Sequence, residues 1–277
     1  MTIFEIQKQL RLTGHYTTPS DTKRSRPNWL AAWRYHFCNL GLLKAGIRSA
    51  AGGKLSRESW SVLGHKATAK IEYLGANVYC DGFEILGKVD GPVVYVANHM
   101  SMLETIVLPP FLMEQRNLAI VLKNSLMQLP YFGATFRSLD PIGISRRDPR
   151  ADLRAVLEQG EAKLKDGASV LLFPQGTRNM CFNVTQFNTL GEKLSRAANV
   201  PMIPIALCTD FAPPGRILRD FGPVYPDRPI RFSMGPLITP HEPRQLRHKT
   251  AVNFIAERLQ TWGVKVVRES GETKSRS

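Results

Sequence analysis

Two short stretches of this chain hold residues fit for proton transfer and anion binding. Asn98-His99-Met100-Ser101-Met102-Leu103-Glu104 carries a histidine followed by a carboxylate, and Phe173-Pro174-Gln175-Gly176-Thr177-Arg178 is a Pro/Gly turn ending in an arginine. On an ideal helix, positions 99 and 104 lie about 140° apart, so His99 and Glu104 do not share a helix face. They meet if His99 sits in the turn before a helix and Glu104 in its first turns. Glu104 then accepts from one ring nitrogen, fixes the tautomer and leaves the other nitrogen as a base. No serine nucleophile is required, and Ser101 lacks the Gly-x-Ser-x-Gly elbow, so it reads as a cap or hydrogen-bonding residue. In the second stretch Gly176 permits a close backbone approach and Thr177 offers a hydroxyl. Arg178 supplies a fork of donors suited to phosphate or carboxylate.

Each stretch alone has a plainer reading. Helix starts often carry both a histidine and an acid, and an arginine after a turn often makes a salt bridge. Between the two lies Asp140-Pro141-Ile142-Gly143-Ile144-Ser145-Arg146-Arg147, where paired arginines again follow a strand-like run. Arginine-bearing turns together with a His/Glu pair suggest a base beside an anion site.

The flanking sequence suggests how these groups are positioned. Strand-like runs are Asn77–Cys80, Pro92–Ala97, Leu118–Leu122, Asp140–Ile144, Ala168–Phe173 and Met202–Leu207, with Ile230–Met234 as an added edge strand. Helical patterns run from about Ser56 to Leu74, through Leu153, Val156, Leu157 and Leu164 to a stop at Gly167, from Phe187 to Asn199, and from Glu242 to Trp262. This alternation predicts an α/β fold with a mostly parallel central sheet flanked by helices. Catalytic groups gather at strand ends in such sheets.

Ahead of it, Trp29, Trp33, Phe37, Leu40, Leu43 and Ile47 recur at helical spacing, with Arg34, Lys44 and Arg48 off or beside the stripe. This N-terminal amphipathic helical segment is suited either to membrane association, with indoles at headgroup depth, or to packing on the protein's own core. Gly52-Gly53 breaks the pattern. The expected organisation is a basic arm with amphipathic helices over 1–70, a catalytic domain over 71–265 and a disordered tail over 266–277, with residues 1–26 poorly ordered.

Net charge is +14, divided as +9 over residues 1–70, +1 over 71–240 and +4 over 241–277. Basic ends beside a balanced middle suit an anionic membrane surface, nucleic acid or simple solubility. Nucleic acid is disfavoured, because no helix-turn-helix, zinc-finger or aromatic RNA-binding signature accompanies the charge. Cys38, Cys80, Cys181 and Cys208 show neither pairing nor metal-ligand spacing and read as reduced thiols. No apolar run approaches the roughly 20 residues of a spanning helix. The expected location is the cytoplasmic face of a membrane, monotopic or peripheral.

The quoted residues resemble the glycerophospholipid acyltransferases that act on 1-acylglycerol-3-phosphate. Four of that family's blocks occur in order. The Asn-His-x-Ser-x-x-Asp block is present at 98–104 with Glu104 for Asp, and Ile144-Ser145-Arg146 falls at the second block. Phe173–Arg178 is similar to Phe-Pro-Glu-Gly-Thr-Arg with Gln175 for Glu, and Val200-Pro201-Met202-Ile203-Pro204-Ile205 is similar to the fourth block. The resemblance implies His99 as general base and Glu104 as its orienting carboxylate. It implies substrate contacts from Asn98, Ser101, Arg146, Phe173, Gln175, Gly176, Thr177 and Arg178, with the arginines on the acceptor's phosphate and oxyanion donors among the backbone N–H groups around Gly176. It further implies no cofactor or metal, an acyl-CoA or acyl carrier protein thioester as co-substrate, and a lysophospholipid acceptor. Glu104 and Gln175 leave open an ornithine-lipid or lipid A-type acceptor, or a lipid-binding homologue without turnover.

Overall fold

The computed structural model describes residues 9–10, 12–25, 30–50, 56–113, 117–129 and 133–268. Its centre is an eight-stranded sheet in the order β1-β2-β9-β8-β3-β6-β4-β5. The strands are β1 (Tyr16–Thr17), β2 (Val78–Asp81), β3 (Val94–Ala97), β4 (Leu118–Lys123), β5 (Ile142–Ile144), β6 (Ser169–Leu172), β8 (Met202–Cys208) and β9 (Ile230–Met234). Strands β8, β3, β6, β4 and β5 pair in parallel. Beyond β8, β9 pairs antiparallel, β2 runs parallel to β9, and β1 closes the edge antiparallel. A small second sheet pairs β7 (Phe182–Asn183) with β10 (Val266–Val267).

The central strands are apolar on both faces, as a sheet covered on both sides requires. Along β3, Tyr95 and Ala97 enter one core while Val94 and Val96 enter the other. The first core is covered by α2 (Arg57–Leu74) and α3 (Leu103–Met113), with Ile71, Leu74, Val107, Leu108 and Phe111 buried there. The second is covered by α6 (Pro149–Lys165), α7 (Leu190–Ala197) and α8 (Arg244–Thr261), after the short α4 (Asn124–Met127) and α5 (Gly133–Ser138). The chain leaves β3 toward the first face through α3 and leaves its neighbour β6 toward the second through α7. The carboxyl ends of β3 and β6 therefore border a topological switch point, where the loops diverge and leave a crevice.

Several expectations change against this architecture. Ile230–Met234 is interior to the sheet, because β2 pairs along its outer side and β8 along the other, and residues 16–17 then make β1 the edge. Within the basic arm, Tyr16 is fully buried. Its hydroxyl and that of Thr18 donate to Glu72 at 2.5 and 2.6 Å, tying residues 16–18 to α2. Val266–Val267 is a strand, whereas 269–277 lies outside the described residues. The helix expected over 187–199 is confined to 190–197, since residues 184–186 form a 3-10 turn capped by Asn183.

The N-terminal helix α1 spans Ala31–Ala50. Trp29 and the break at Gly52-Gly53 lie outside the described residues. Tyr35 faces inward, its ring edge-on to Phe211 at 5.7 Å. Trp33, Phe37 and Leu40 are 61%, 65% and 40% exposed, so these three do not pack on the protein's own core. Lys44 and Arg48, also exposed, continue that same face by helical geometry rather than lying beside it. No helix among the described residues is long and apolar enough to cross a membrane.

Candidate active site

Strand β3 ends at Ala97, and the next residues form the turn into α3. Asn98 anchors that turn to β8: its side-chain nitrogen donates to the Leu207 carbonyl at 2.9 Å, and the Leu207 N–H donates back at 2.8 Å. The contact is therefore with backbone, and Asn98 acts as a brace. His99 sits in the turn and Glu104 in the first turn of α3, the placement that lets the pair meet. The separation from His99 Nδ1 to Glu104 Oε1 is 2.8 Å.

Glu104 is completely buried. Its carboxylate accepts from the Met100 N–H at 2.6 Å, the Ser101 N–H at 2.9 and 3.0 Å, the Ser101 hydroxyl at 2.9 Å and the Thr209 hydroxyl at 2.7 Å. Burial pushes this carboxyl up, but the hydrogen bond and charge interaction with His99, with the hydroxyl of Thr209, overcome it. The group is held below the usual carboxylate value. An ionised carboxylate only accepts, so Nδ1 carries a proton, and in the neutral imidazole Nε2 is the nitrogen left with a lone pair. The imidazole stacks on Phe173, with ring centroids 4.4 Å apart and planes at 24°. Two backbone bonds complete the clamp. The His99 N–H donates to Gln175 Oε1 at 2.9 Å, and the His99 carbonyl accepts from the Asn179 N–H at 2.8 Å.

The facing turn begins where β6 ends. Phe173 to Gly176 closes with the Gly176 N–H donating to the Phe173 carbonyl at 3.0 Å, with proline at the second position of the turn. Gly176 has φ +70°, and a Cβ there would meet nothing within 4 Å, so conformation rather than space calls for glycine. Because that N–H is used by the turn, Gly176 itself is not an oxyanion donor. The Gln175 side-chain nitrogen, in contrast, is buried with no partner among the described residues. Since the His99 N–H fixes the amide's orientation, this nitrogen is a donor held ready inside the site. Thr177 is exposed.

Arg178 ends the turn, its side chain largely buried, with Nη1 2.6 Å from Asp220 Oδ1. Arg146 follows β5 at the same carboxyl end of the parallel strands, at φ +58°, a conformation that strains a non-glycine residue. Asp152 holds the turn there, accepting from the Ser145 and Arg146 N–H groups at 2.7 Å each. Partial desolvation and the nearby charge of Arg178 lower the Arg146 guanidinium from its usual value. Arg146 thus shares an electrostatic neighbourhood with Arg178. The structure brings together His99, Glu104, Ser101, Phe173 and Gln175 by direct contact, Arg178 ends the turn that carries Phe173 and Gln175, and Arg146 lies near Arg178.

Sequence reasoning missed Thr209 and Asp220. Thr209 follows β8 and touches Glu104 across 105 positions, and no local pattern announces it. Among the described residues no group of histidine, cysteine or acidic side chains is arranged to hold a metal.

Residues 72–208, which contain all of the site except Asp220 and Thr209, match a family model described as Acyltransferase. A 1-acyl-sn-glycerol-3-phosphate acyltransferase of Pseudomonas aeruginosa is 38% identical over 115 residues, covering 42% of this chain and 44% of the relative. One from Chlamydomonas reinhardtii is 35% identical over 126 residues, covering 46% and 37%. Residues 72–208 therefore belong to the Acyltransferase family. The matched stretch spans less than half the length of these curated relatives. Beyond it, the family's fold extends over most of the molecule. The 1-acyl-sn-glycerophosphate acyltransferase PlsC of Thermotoga maritima superposes with a TM-score of 0.62 at 19% identity, covering 84% of this chain and 96% of that one.

Proposed function

We propose that this chain transfers a fatty acyl group from an acyl thioester to the free hydroxyl of 1-acylglycerol-3-phosphate, giving phosphatidate. The observation that carries this is the buried His99–Glu104 pair, which fixes the tautomer that leaves Nε2 as the base, at the end of the sheet where Arg146 and Arg178 also lie. Nε2 takes the proton of the acceptor hydroxyl as its oxygen attacks the thioester carbonyl carbon. The C–O bond forms, and the imidazolium is stabilised by Glu104 across 2.8 Å. When the tetrahedral intermediate collapses, the C–S bond breaks and the leaving thiolate takes the proton back from His99. The thioester arrives activated, so alignment and deprotonation suffice.

Arg146 and Arg178 bind the acceptor's phosphate, and the orphan N–H of Gln175 is the closest-fitting donor for charge that develops near His99. Acyl-CoA and acyl carrier protein both satisfy this chemistry as donors. The exposed face of α1, with Trp33, Phe37 and Leu40 followed by Lys44 and Arg48, lies on an anionic membrane and brings the site to its lipids.

An acceptor panel tests the reading. Transfer to 1-acylglycerol-3-phosphate is expected to exceed transfer to the same lipid without its phosphate by at least about tenfold in kcat/KM. Equal rates on both, or a preference for a lyso-ornithine lipid or a lipid A precursor, contradict the phosphate assignment.

A further inference from the structure

The connection from β8 to β9, residues 209–229, is long for a compact domain, and loops of this length usually serve a function. It is also tightly built. The Gly215 N–H donates to the Arg219 carbonyl at 3.3 Å and the Phe221 N–H to the Leu218 carbonyl at 2.9 Å. A Cβ on Gly222 would lie 1.8 Å from the Pro213 carbonyl oxygen, so the two limbs of the loop touch backbone to backbone. At its base Phe211 is fully buried, and Tyr225 returns its N–H to the Phe211 carbonyl at 2.8 Å. Out of this closed frame project Ile217, Leu218 and Phe221, which are 93%, 64% and 63% exposed. A rigid loop that presents three bulky apolar side chains to water marks a contact surface.

The charges around the tip indicate what it contacts. Arg216 and Arg219 flank Ile217 and Leu218. The one acid of the tip, Asp220, pairs with Arg178 of the site rather than with either of them. The tip also adjoins α1. His36 Nε2 lies 2.9 Å from the Gly222 carbonyl oxygen, and the His36 and Phe221 rings are 5.2 Å apart. The apolar tip and the exposed Trp33–Phe37 face therefore form one surface, bordered by Arg34, Arg216 and Arg219. Apolar side chains ringed by cations match the interface of an anionic bilayer.

We propose that the loop tip Arg216–Phe221 is a second membrane-contacting surface, which inserts Ile217, Leu218 and Phe221 into an anionic bilayer beside the mouth of the site. This rests on the acyltransferase reading for its purpose and extends it. Insertion of a loop that also carries Asp220 brings the bilayer to the residue paired with Arg178, so acceptor entering from the membrane meets the site's arginine directly.

The test compares the full chain with Ile217→Ser/Leu218→Ser and with Trp33→Ser/Phe37→Ser in partitioning onto phosphatidylglycerol/phosphatidylcholine vesicles. The loop variant is expected to partition at least about tenfold more weakly, from the apolar area it no longer buries. Its turnover of a short-chain acceptor dispersed in detergent should match that of the parent, which shows the fold intact. Unchanged partitioning of the loop variant overturns the proposal, as does a loop variant that changes only the chain's self-association. Partitioning is read without turnover. A chain that docks but transfers nothing therefore contradicts the acyltransferase reading alone, and an active chain whose docking ignores the loop contradicts this proposal alone.

Discussion

The two halves of the site are built in opposite ways. Around Glu104 every carboxylate lone pair is met by a donor, the group is sealed from water, and backbone bonds to Gln175 and Asn179 fix His99 on both sides. Around Arg178 the charge is met, among the described residues, by one acid on a surface loop, Asp220, which is 51% exposed. Arg146 nearby stands beside a like charge on a strained turn. The first arrangement is preorganised, as a base that must keep one tautomer through each cycle requires. The second is exchangeable, as a binding group that must release its product requires. On the proposed function this contrast makes proton transfer and phosphate capture separable, and substitutions should separate them.

The largest effect is expected on the buried side. Glu104→Ala strips the acceptor from two backbone N–H groups, the Ser101 and Thr209 hydroxyls and His99 Nδ1. It should lower kcat about 10³-fold and the free energy of unfolding by about 3 kcal/mol. The same carboxylate sets an acid limit. Its folded value lies below the usual 4.5. Its contribution is therefore complete above about pH 4.5 and is lost as pH falls through the depressed folded value. Thermal melts across that range should show a steeper acid decline for the parent than for Glu104→Ala. A stable variant with unchanged kcat would erase the distinction between the two halves.

On the exposed side the loss should fall on binding. Arg178→Ala is expected to raise KM for the phosphate-bearing acceptor by about 10- to 100-fold with kcat little changed, measured by initial rates. A fall in kcat with KM unmoved would place Arg178 in the chemical step. The smallest effect is expected from Asp220→Asn, which removes a competitor for the phosphate. Exposed pairs are worth about 1 kcal/mol or less, so KM should drop only about twofold to fivefold. A rise in KM would instead make Asp220 a support for the Arg178 side chain.

Much of this was legible in the sequence because it is local. The His99/Glu104 spacing encodes a turn-then-helix placement, and the apolar runs at 92–97, 168–173 and 202–207 mark the three strands that meet at the crevice. Strand order was not legible in the same way. Ile230–Met234 reads as an edge because no local pattern tells that the distant run at 78–81 pairs along its outer side, and the true edge at 16–17 is too short to carry a periodicity. Thr209 and Asp220 were hidden for a related reason: each acts on a partner far away in the chain. The helix α1 shows a third limit. Its stripe is plain in the sequence, but periodicity does not say whether a stripe faces core or solvent, and only the inward Tyr35 reveals that Trp33 and Phe37 point outward.

The central claim is that His99 Nε2 deprotonates the hydroxyl of a phosphate-bearing lysolipid. Its most direct test follows a labelled acyl group from acyl-CoA, and in parallel from acyl carrier protein, onto 1-acylglycerol-3-phosphate, using the parent chain and His99→Ala with matched melting curves. The account predicts labelled phosphatidate from the parent and a rate at least about 10³-fold lower from the variant. Equal labelling by both proteins, or none by the parent from either donor, would contradict it.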